Sequence, residues 1–133
     1  MSRPSFTIGI EEEFQVVDPV TYELKAPAEG LFTQGHERLH DQIKREMHAP
    51  VIEIGTPVCA NIQEAQRELQ RLRGEVVRLV RRHGLRIASA GTHPFTHWSK
   101  VLITPGVAHY AQLVEDLQTV SYTHLTLPTT PYV

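Results

Sequence analysis

The sequence FTIGIEEEFQVV, residues 6–17, decides the fold because its apolar and polar residues alternate. Side chains of a β-strand point to opposite faces with a period of two, so this stretch predicts a strand with one apolar and one polar face. The polar face carries Glu11 and Glu13, which lie roughly 6–7 Å apart along such a strand. Two anions at that spacing repel each other, and a divalent cation that binds carboxylate oxygens would offset the repulsion.

A solvated acidic face is the simpler interpretation of an isolated Glu-x-Glu pair on a strand. The strongly apolar flanks favour a central strand instead, where two carboxylates are harder to explain as solvent-facing. Glu12 falls on the apolar parity. The pattern therefore predicts either a bulge at Glu12 or an apolar face that is not fully dry there.

Composition limits the class of protein. The chain has 133 residues, 41% of them hydrophobic and 21% charged, which is typical of one soluble globular domain. A net charge of −2 gives no electrostatic case for nucleic acid or an anionic membrane as a partner. The single cysteine, Cys59, excludes an intrachain disulfide. With no signal-peptide pattern and no apolar run of the ~20 residues that span a bilayer, we expect a cytoplasmic protein.

A second acidic segment follows in residues 42–58, which look extended with a break near Ala49-Pro50. Glu53 is enclosed by apolar neighbours, and a buried unpaired carboxylate costs several kcal/mol, so it needs a cation, a partner or a proton. Taken alone, Glu53 is more simply a structural glutamate. Glu46, seven residues earlier, could reach the same site, although by itself it is more simply a surface residue.

The clearest helix covers residues 61–84, where Asn61 can cap the start, Glu64 completes a capping box and Gly84 can end the helix. The other predicted elements are a short helix at 28–35, a loop at 35–41, a strand at 85–92 and a helix at 107–118. His93 follows the last strand, and alone it is more simply a loop histidine than a ligand.

The final residues, 119–133, contain no charged side chain and are rich in threonine. Residues 120–129, VSYTHLTLPT, resemble a translated transposase-type sequencing adapter without a gap, and the codons on both sides fit the same frame. We expect residues 1–118 to be the evolved part of the chain and 119–133 to be a non-native tail. The source DNA tests this hypothesis.

Three separated motifs carry a family resemblance: GIEEEF at 9–14, VIEIGTPVC at 51–59 and AGTHPF at 90–95. In this order they resemble the type 2 glutamate–cysteine ligases, also called carboxylate–amine ligases. The resemblance implies an α+β fold, namely a partial glutamine-synthetase-like catalytic domain with a mostly antiparallel sheet and helices packed on one face. It covers residues 6–118, so the domain would be truncated.

The resemblance also implies chemistry. Members of the family use ATP and Mg²⁺ (or Mn²⁺) to phosphorylate a carboxylate, typically of glutamate, and an amine, typically of cysteine, then displaces the phosphate. The residues that match the family's metal ligands are Glu11, Glu13, Glu46 and Glu53. The residues that match a segment lining the substrate or nucleotide region are Gly91, Thr92 and His93.

The family's histidine motif and its substrate-binding arginines should follow residue 118, so the resemblance implies a ligase fragment that does not catalyse by itself. A homo-oligomer is possible for the full-length protein. A small stand-alone metal- or nucleotide-binding module without ligase activity is the alternative, and an interaction protein is a weaker third. A truncated sheet would also leave an exposed edge.

Overall fold

The computed structural model describes residues 6–125, excluding the side chains of residue 98 and of residues 118–125. Four strands and three helices follow one another in the order β1 (Glu11–Val17), α1 (Glu29–Leu39), β2 (Ile43–Arg45), β3 (Val51–Gly55), α2 (Ile62–Arg82), β4 (Arg86–Ala88) and α3 (Ala108–Leu125). Short 3-10 turns occupy residues 40–42 and 98–100. None of the helices in this described part has the length and apolarity needed to cross a bilayer.

The first strand is central, as its apolar flanks predict. The strands are ordered β2-β3-β1-β4, and every neighbouring pair is antiparallel. Phe14 pairs with Ile52, so the apolar residues of β1 and β3 lie on the same side of the sheet. The predicted α+β class with an antiparallel sheet is confirmed.

Helices α1 and α2 cover that apolar side and enclose the core. The largest fully buried side chains come from both the sheet and the helices: Leu31, Ile43, Ile52, Ile54, Leu72, Val16, Val76 and Val80, together with Cys59. Burial of this apolar surface, at about 25 cal/mol per Å² removed from water, stabilises the packing of the helices on the sheet. The opposite side of the sheet carries the polar residues of β1 and β3, including Glu11, Glu13 and Glu53.

The N-cap and the terminal glycine that the sequence predicts for helix α2 are confirmed. The Asn61 side chain accepts a hydrogen bond from the Glu64 backbone N–H at 2.9 Å, and the Glu64 carboxylate accepts one from the Ala60 N–H at 2.7 Å. The Asn61 bond satisfies a backbone donor that a helix start leaves without a partner, whereas Glu64 accepts from the residue before the N-cap and not from the N-cap N–H that a capping box uses. Gly84 takes a φ of +70°, the left-handed conformation that glycine adopts readily after a helix.

The predicted limits of three structural elements were wrong. Residues 35–41 are not a loop, because α1 continues to Leu39 and buries Leu31, Phe32 and Leu39 on one face. The predicted strand at 85–92 has only three paired residues, since the chain leaves the sheet after Ala88. The last helix runs to Leu125 rather than to residue 118.

Residues 126–133 of the predicted tail lie outside the described residues. The boundary placed at residue 118 therefore stays a prediction.

Candidate metal centre and cleft

Three carboxylates converge on the polar side of the sheet. Glu13 of β1 lies directly opposite Glu53 of β3, and Glu46 follows the end of β2. One carboxylate oxygen from each lies within 4.8 Å of the others. An all-oxygen, acidic donor set suits a hard divalent cation such as Mg²⁺ or Mn²⁺ rather than a metal that prefers sulfur or imidazole. The residues present therefore fit the ion that the sequence predicts.

Glu11, the fourth predicted ligand, lies on the same side of the sheet but outside this group. Its backbone is paired with Gly55, and its side chain is 68% exposed. Its nearest charged partner is Lys44, whose Nζ lies 3.5 Å from Glu11 Oε1. The structure thus brings three of the four predicted ligands together and leaves Glu11 beside them.

Lys44 of β2 is a cation already present at the edge of the cluster. Its Nζ donates to Glu53 Oε1 at 2.9 Å. This hydrogen bond and the charge of Glu53, together with Glu11, raise the pKa of the Lys44 ammonium above its usual value, while burial opposes the shift. The lysine therefore stays charged at neutral pH and balances part of the negative charge. The sequence analysis missed Lys44, although its pairing with Glu53 follows once the register of β2 is known.

Glu46 is held from several directions. Its carboxylate accepts a hydrogen bond from the Met47 backbone N–H at 2.7 Å, and the Thr104 hydroxyl donates to its backbone carbonyl. The Tyr110 hydroxyl of α3 donates to the carbonyl of the preceding Arg45 at 3.4 Å. These contacts fix a residue that lies just beyond the paired part of β2.

Tyr110 lies close enough to the acidic cluster for the carboxylates to affect its phenol. Burial raises the pKa of the Tyr110 phenol, and the negative charges of Glu46 and Glu53 raise it further, with Lys44 acting in the opposite direction. Tyr110 is not among the site residues that the sequence predicts. Its hydroxyl places the start of α3 next to the carboxylates.

Glu12 resolves the parity question raised by the sequence. The pairing of β1 with β3 runs without a bulge through this position, so Glu12 points to the helix-covered side. There its carboxylate accepts two hydrogen bonds from the Arg73 guanidinium of α2, one of them at 2.7 Å. The edge of the apolar face is therefore accessible to solvent at Glu12, and Glu12 takes no part in the acidic cluster.

A cleft of about 240 Å³ opens next to the cluster. Glu13 and Glu46 line one part of it, and residues 90–93 line another, so Gly91, Thr92 and His93 lie in the same cleft as two of the acidic residues. Their role in binding substrate or nucleotide stays a prediction. The segment that leaves the sheet after β4 thus forms a wall of the candidate site.

His93 holds this wall in place. Its Nε2 lies 2.9 Å from the Tyr22 carbonyl oxygen, and its Nδ1 accepts a hydrogen bond from the Thr96 backbone N–H at 3.1 Å. Because a carbonyl only accepts, the proton belongs on Nε2, and both ring nitrogens are then occupied. The loop interpretation of His93 fits this geometry better than a ligand role.

Comparisons with known proteins agree with the sequence motifs. The model of glutamate-cysteine ligase family 2 matches residues 7–132. Similar proteins, each called "Putative glutamate--cysteine ligase 2", come from Solibacter usitatus (47% identical over 124 residues), Roseiflexus castenholzii (49% over 113) and Sorangium cellulosum (49% over 122).

These three alignments cover 92%, 85% and 90% of the chain but only 32%, 30% and 32% of the relatives. The chain therefore spans about a third of the length of the curated relatives it matches. The family match extends over nearly all of the sequence and includes the first strand, the second acidic segment and the wall of the cleft. The chain belongs to glutamate–cysteine ligase family 2.

Proposed function

We propose that the chain is the N-terminal part of an ATP-dependent carboxylate–amine ligase, and that Glu13, Glu46 and Glu53 hold a Mg²⁺ or Mn²⁺ ion in it. The observation that carries this proposal is the approach of the three carboxylate oxygens to within 4.8 Å of one another. Without a cation, three like charges at this distance repel one another. Lys44 offsets only part of that repulsion, since it donates to one of the three.

The proposed reaction joins two small molecules. The terminal phosphoryl group of ATP passes to a carboxylate oxygen of the acid substrate. The amine nitrogen then attacks the acyl carbon, the C–N bond forms as the C–O bond to phosphate breaks, and the amine loses a proton. A bound divalent cation supplies charge neutralisation for the transferring phosphoryl group. The names of the relatives suggest glutamate as the acid and cysteine as the amine.

Each group of residues around the cleft has a different role in the proposed site. The three glutamates bind the cation, and Lys44 keeps the charge of the group in balance. The wall of residues 90–93, held by His93, forms one side of the cleft. We assign Glu11 an outer position, where it holds Lys44 rather than the ion.

Catalysis by the complete protein needs more than these residues. The chain spans about a third of its relatives, so we propose that the remaining substrate-binding groups come from sequence beyond it and that this chain alone is inactive. We also propose a cytoplasmic setting, small molecules as the partners, and possible homo-oligomerisation of the complete protein.

The test is direct titration of the purified chain with Mn²⁺, followed by the electron paramagnetic resonance signal of the free ion. Glu53→Gln should weaken Mn²⁺ binding by at least about tenfold, because even supporting groups around a metal are worth about 10–100-fold in affinity. Glu12→Gln is the matched control, since it removes the same charge from the other face of the same sheet. Glu11→Gln should have a smaller effect than Glu53→Gln.

Equal Mn²⁺ affinity in Glu53→Gln and Glu12→Gln would contradict the metal site. ATP provides the second readout, because nucleotide binding should require the divalent ion in the unmodified chain and be lost in Glu53→Gln. A gene that encodes only this chain would favour the stand-alone metal-binding module, whereas family sequence downstream of codon 118 would favour the ligase.

A further inference from the structure

A buried amide beside the acidic cluster lacks a partner. Gln15 of β1 lies two residues after Glu13 on the same side of the sheet, between Val51 and Ala88 of the neighbouring strands. Gln15 is only 7% exposed and lines the cleft. It is one of two buried polar residues in the described part of the chain, the other being Thr104.

The side-chain oxygen of Gln15 receives no hydrogen bond. Within the described residues, Oε1 is the one buried side-chain polar atom without a partner. A buried acceptor that receives no hydrogen bond destabilises the folded protein, so such atoms are rare in native structures. His93, on the wall of the same cleft, cannot serve as the donor, because its protonated nitrogen is committed to the Tyr22 carbonyl.

The surroundings indicate which kind of donor fits. Glu13 and Glu46 line the same cleft. Even with a divalent ion bound and Lys44 charged, the four glutamates of this face leave one negative charge in excess, which favours a positively charged donor over an anionic one. The cleft of about 240 Å³ is smaller than the ~300–1,000 Å³ pockets that take drug-sized ligands, which suits a molecule of amino-acid size. An ammonium group offers three N–H donors and no acceptor, which matches an oxygen that can only accept.

We propose that this cleft binds the ammonium group of an α-amino acid substrate and that the Gln15 side-chain oxygen accepts one of its N–H bonds. The inference rests on the proposed ligase function, because both substrates suggested for the ligase carry an α-ammonium group. Gln15 then determines specificity: it favours amino acids over the corresponding acids that lack the amino group.

The test compares ligands that differ only in the amino group. L-Glutamate is paired with glutarate, and L-cysteine with 3-mercaptopropionate, each titrated at millimolar concentration into the 133-residue chain in the presence of Mg²⁺. The ¹H–¹⁵N resonances of the Gln15 side-chain amide report the contact. We expect them to shift with one of the amino acids and not with its deaminated partner, which also identifies the substrate that occupies the cleft.

Gln15→Met removes the acceptor with little change in shape. It should weaken binding of that amino acid about tenfold, as expected for a hydrogen bond to a charged group, and leave binding of the deaminated partner unchanged. Because the substitution removes an unsatisfied buried group, the melting temperature should stay the same or rise. Gln15→Glu keeps the acceptor and should retain the preference for the amino acid, while Gln66→Met controls for loss of a glutamine elsewhere.

The two proposals fail in different ways. If Glu53→Gln loses Mn²⁺ but Gln15→Met leaves the preference for amino acids intact, the ligase metal site stands and the ammonium subsite is refuted. Equal affinity for the amino acids and their deaminated partners, or no binding of either amino acid, also refutes the subsite. A change of Mn²⁺ affinity in Gln15→Met would show that the amide serves the metal instead.

Discussion

Replacing Lys44 with methionine should tighten binding of a divalent cation to the three-carboxylate cluster by about fivefold. Lys44 Nζ holds Glu53 Oε1 at 2.9 Å, so an ion that uses this oxygen must displace or share the lysine. The side chains of Lys44 and Glu53 are 49% and 18% exposed, and an ion pair in contact with water is worth at most about 1 kcal/mol. Releasing that amount corresponds to about a fivefold gain in affinity.

The gain in cation affinity on replacing Lys44 is expected over a wide pH range. The pKa of Lys44 is raised above its usual value by Glu53 and Glu11, so the ammonium stays charged throughout the neutral and mildly alkaline range. Its positive charge also repels the incoming cation directly, which adds to the effect of the hydrogen bond. We therefore expect the gain in Mn²⁺ affinity at every pH between about 6 and 9, since a lysine titrates only near 10.4 even when unperturbed.

The assay is the same Mn²⁺ titration, with Lys25→Met as the control. Lys25 forms an ion pair of 3.1 Å with Asp18, outside the cluster, so this variant carries the same change of net charge. We expect it to leave the affinity within twofold of the unmodified chain, because Lys25 is exposed, is paired with Asp18 and is screened by salt. Weaker Mn²⁺ binding in Lys44→Met would refute the reasoning, because it would mean that the lysine positions Glu53 for the ion.

Two further predictions concern the scaffold. Gly30→Ala should raise the free energy of unfolding by up to about 1 kcal/mol, since a new Cβ there meets no atom within 4 Å, whereas Gly35→Ala should lower it by about 1–3 kcal/mol because its Cβ would lie 3.0 Å from the buried Ile43 side chain. Urea unfolding of both variants measures this contrast, and stabilisation by Gly35→Ala would contradict the close packing. The Asp18 carboxyl should titrate in NMR with a pKa of about 2, because the backbone N–H groups of Val20 and Thr21 donate to it. Since this pKa lies below that of the unfolded chain, the contribution of Asp18 to stability is present above about pH 4 and is lost as the pH falls towards 2; a titration midpoint near 4 would count against it.

Much of the site follows from alternation along single strands. The period of two in residues 6–17 places Glu13 on the face opposite Phe14, and the apolar residues around Glu53 predict a carboxylate that needs a partner. What alternation cannot supply is the register between strands that are distant in sequence. The pairing of Glu13 with Glu53, and of Lys44 with Glu53, decides which charges meet, and it depends on the packing of the whole sheet.

The errors in the predicted elements also have a physical origin. Gly35 and the polar residues around it predict a loop, yet the helix continues because the missing side chain lets Ile43 and Leu79 approach its backbone closely. The strand predicted at 85–92 ends at Ala88, where its pairing with Gln15 of β1 ends, and the following residues turn away to form the cleft. Local propensity does not predict the continuation of α1 or the end of β4, since each depends on a neighbour far away in sequence.

The two faces of β1 make stability and binding separable by experiment. Phe14 and Val16 point into the core, whereas Glu13 and Gln15 point to the cleft, so the same strand anchors the fold and carries the candidate site. Removing the charge of Glu13 relieves repulsion among the carboxylates and takes no apolar surface out of the core. A loss of ion or ligand binding in such variants, with the melting temperature unchanged or raised, therefore reports on the site itself and not on unfolding. This is the pattern expected when a binding site is maintained at the expense of stability.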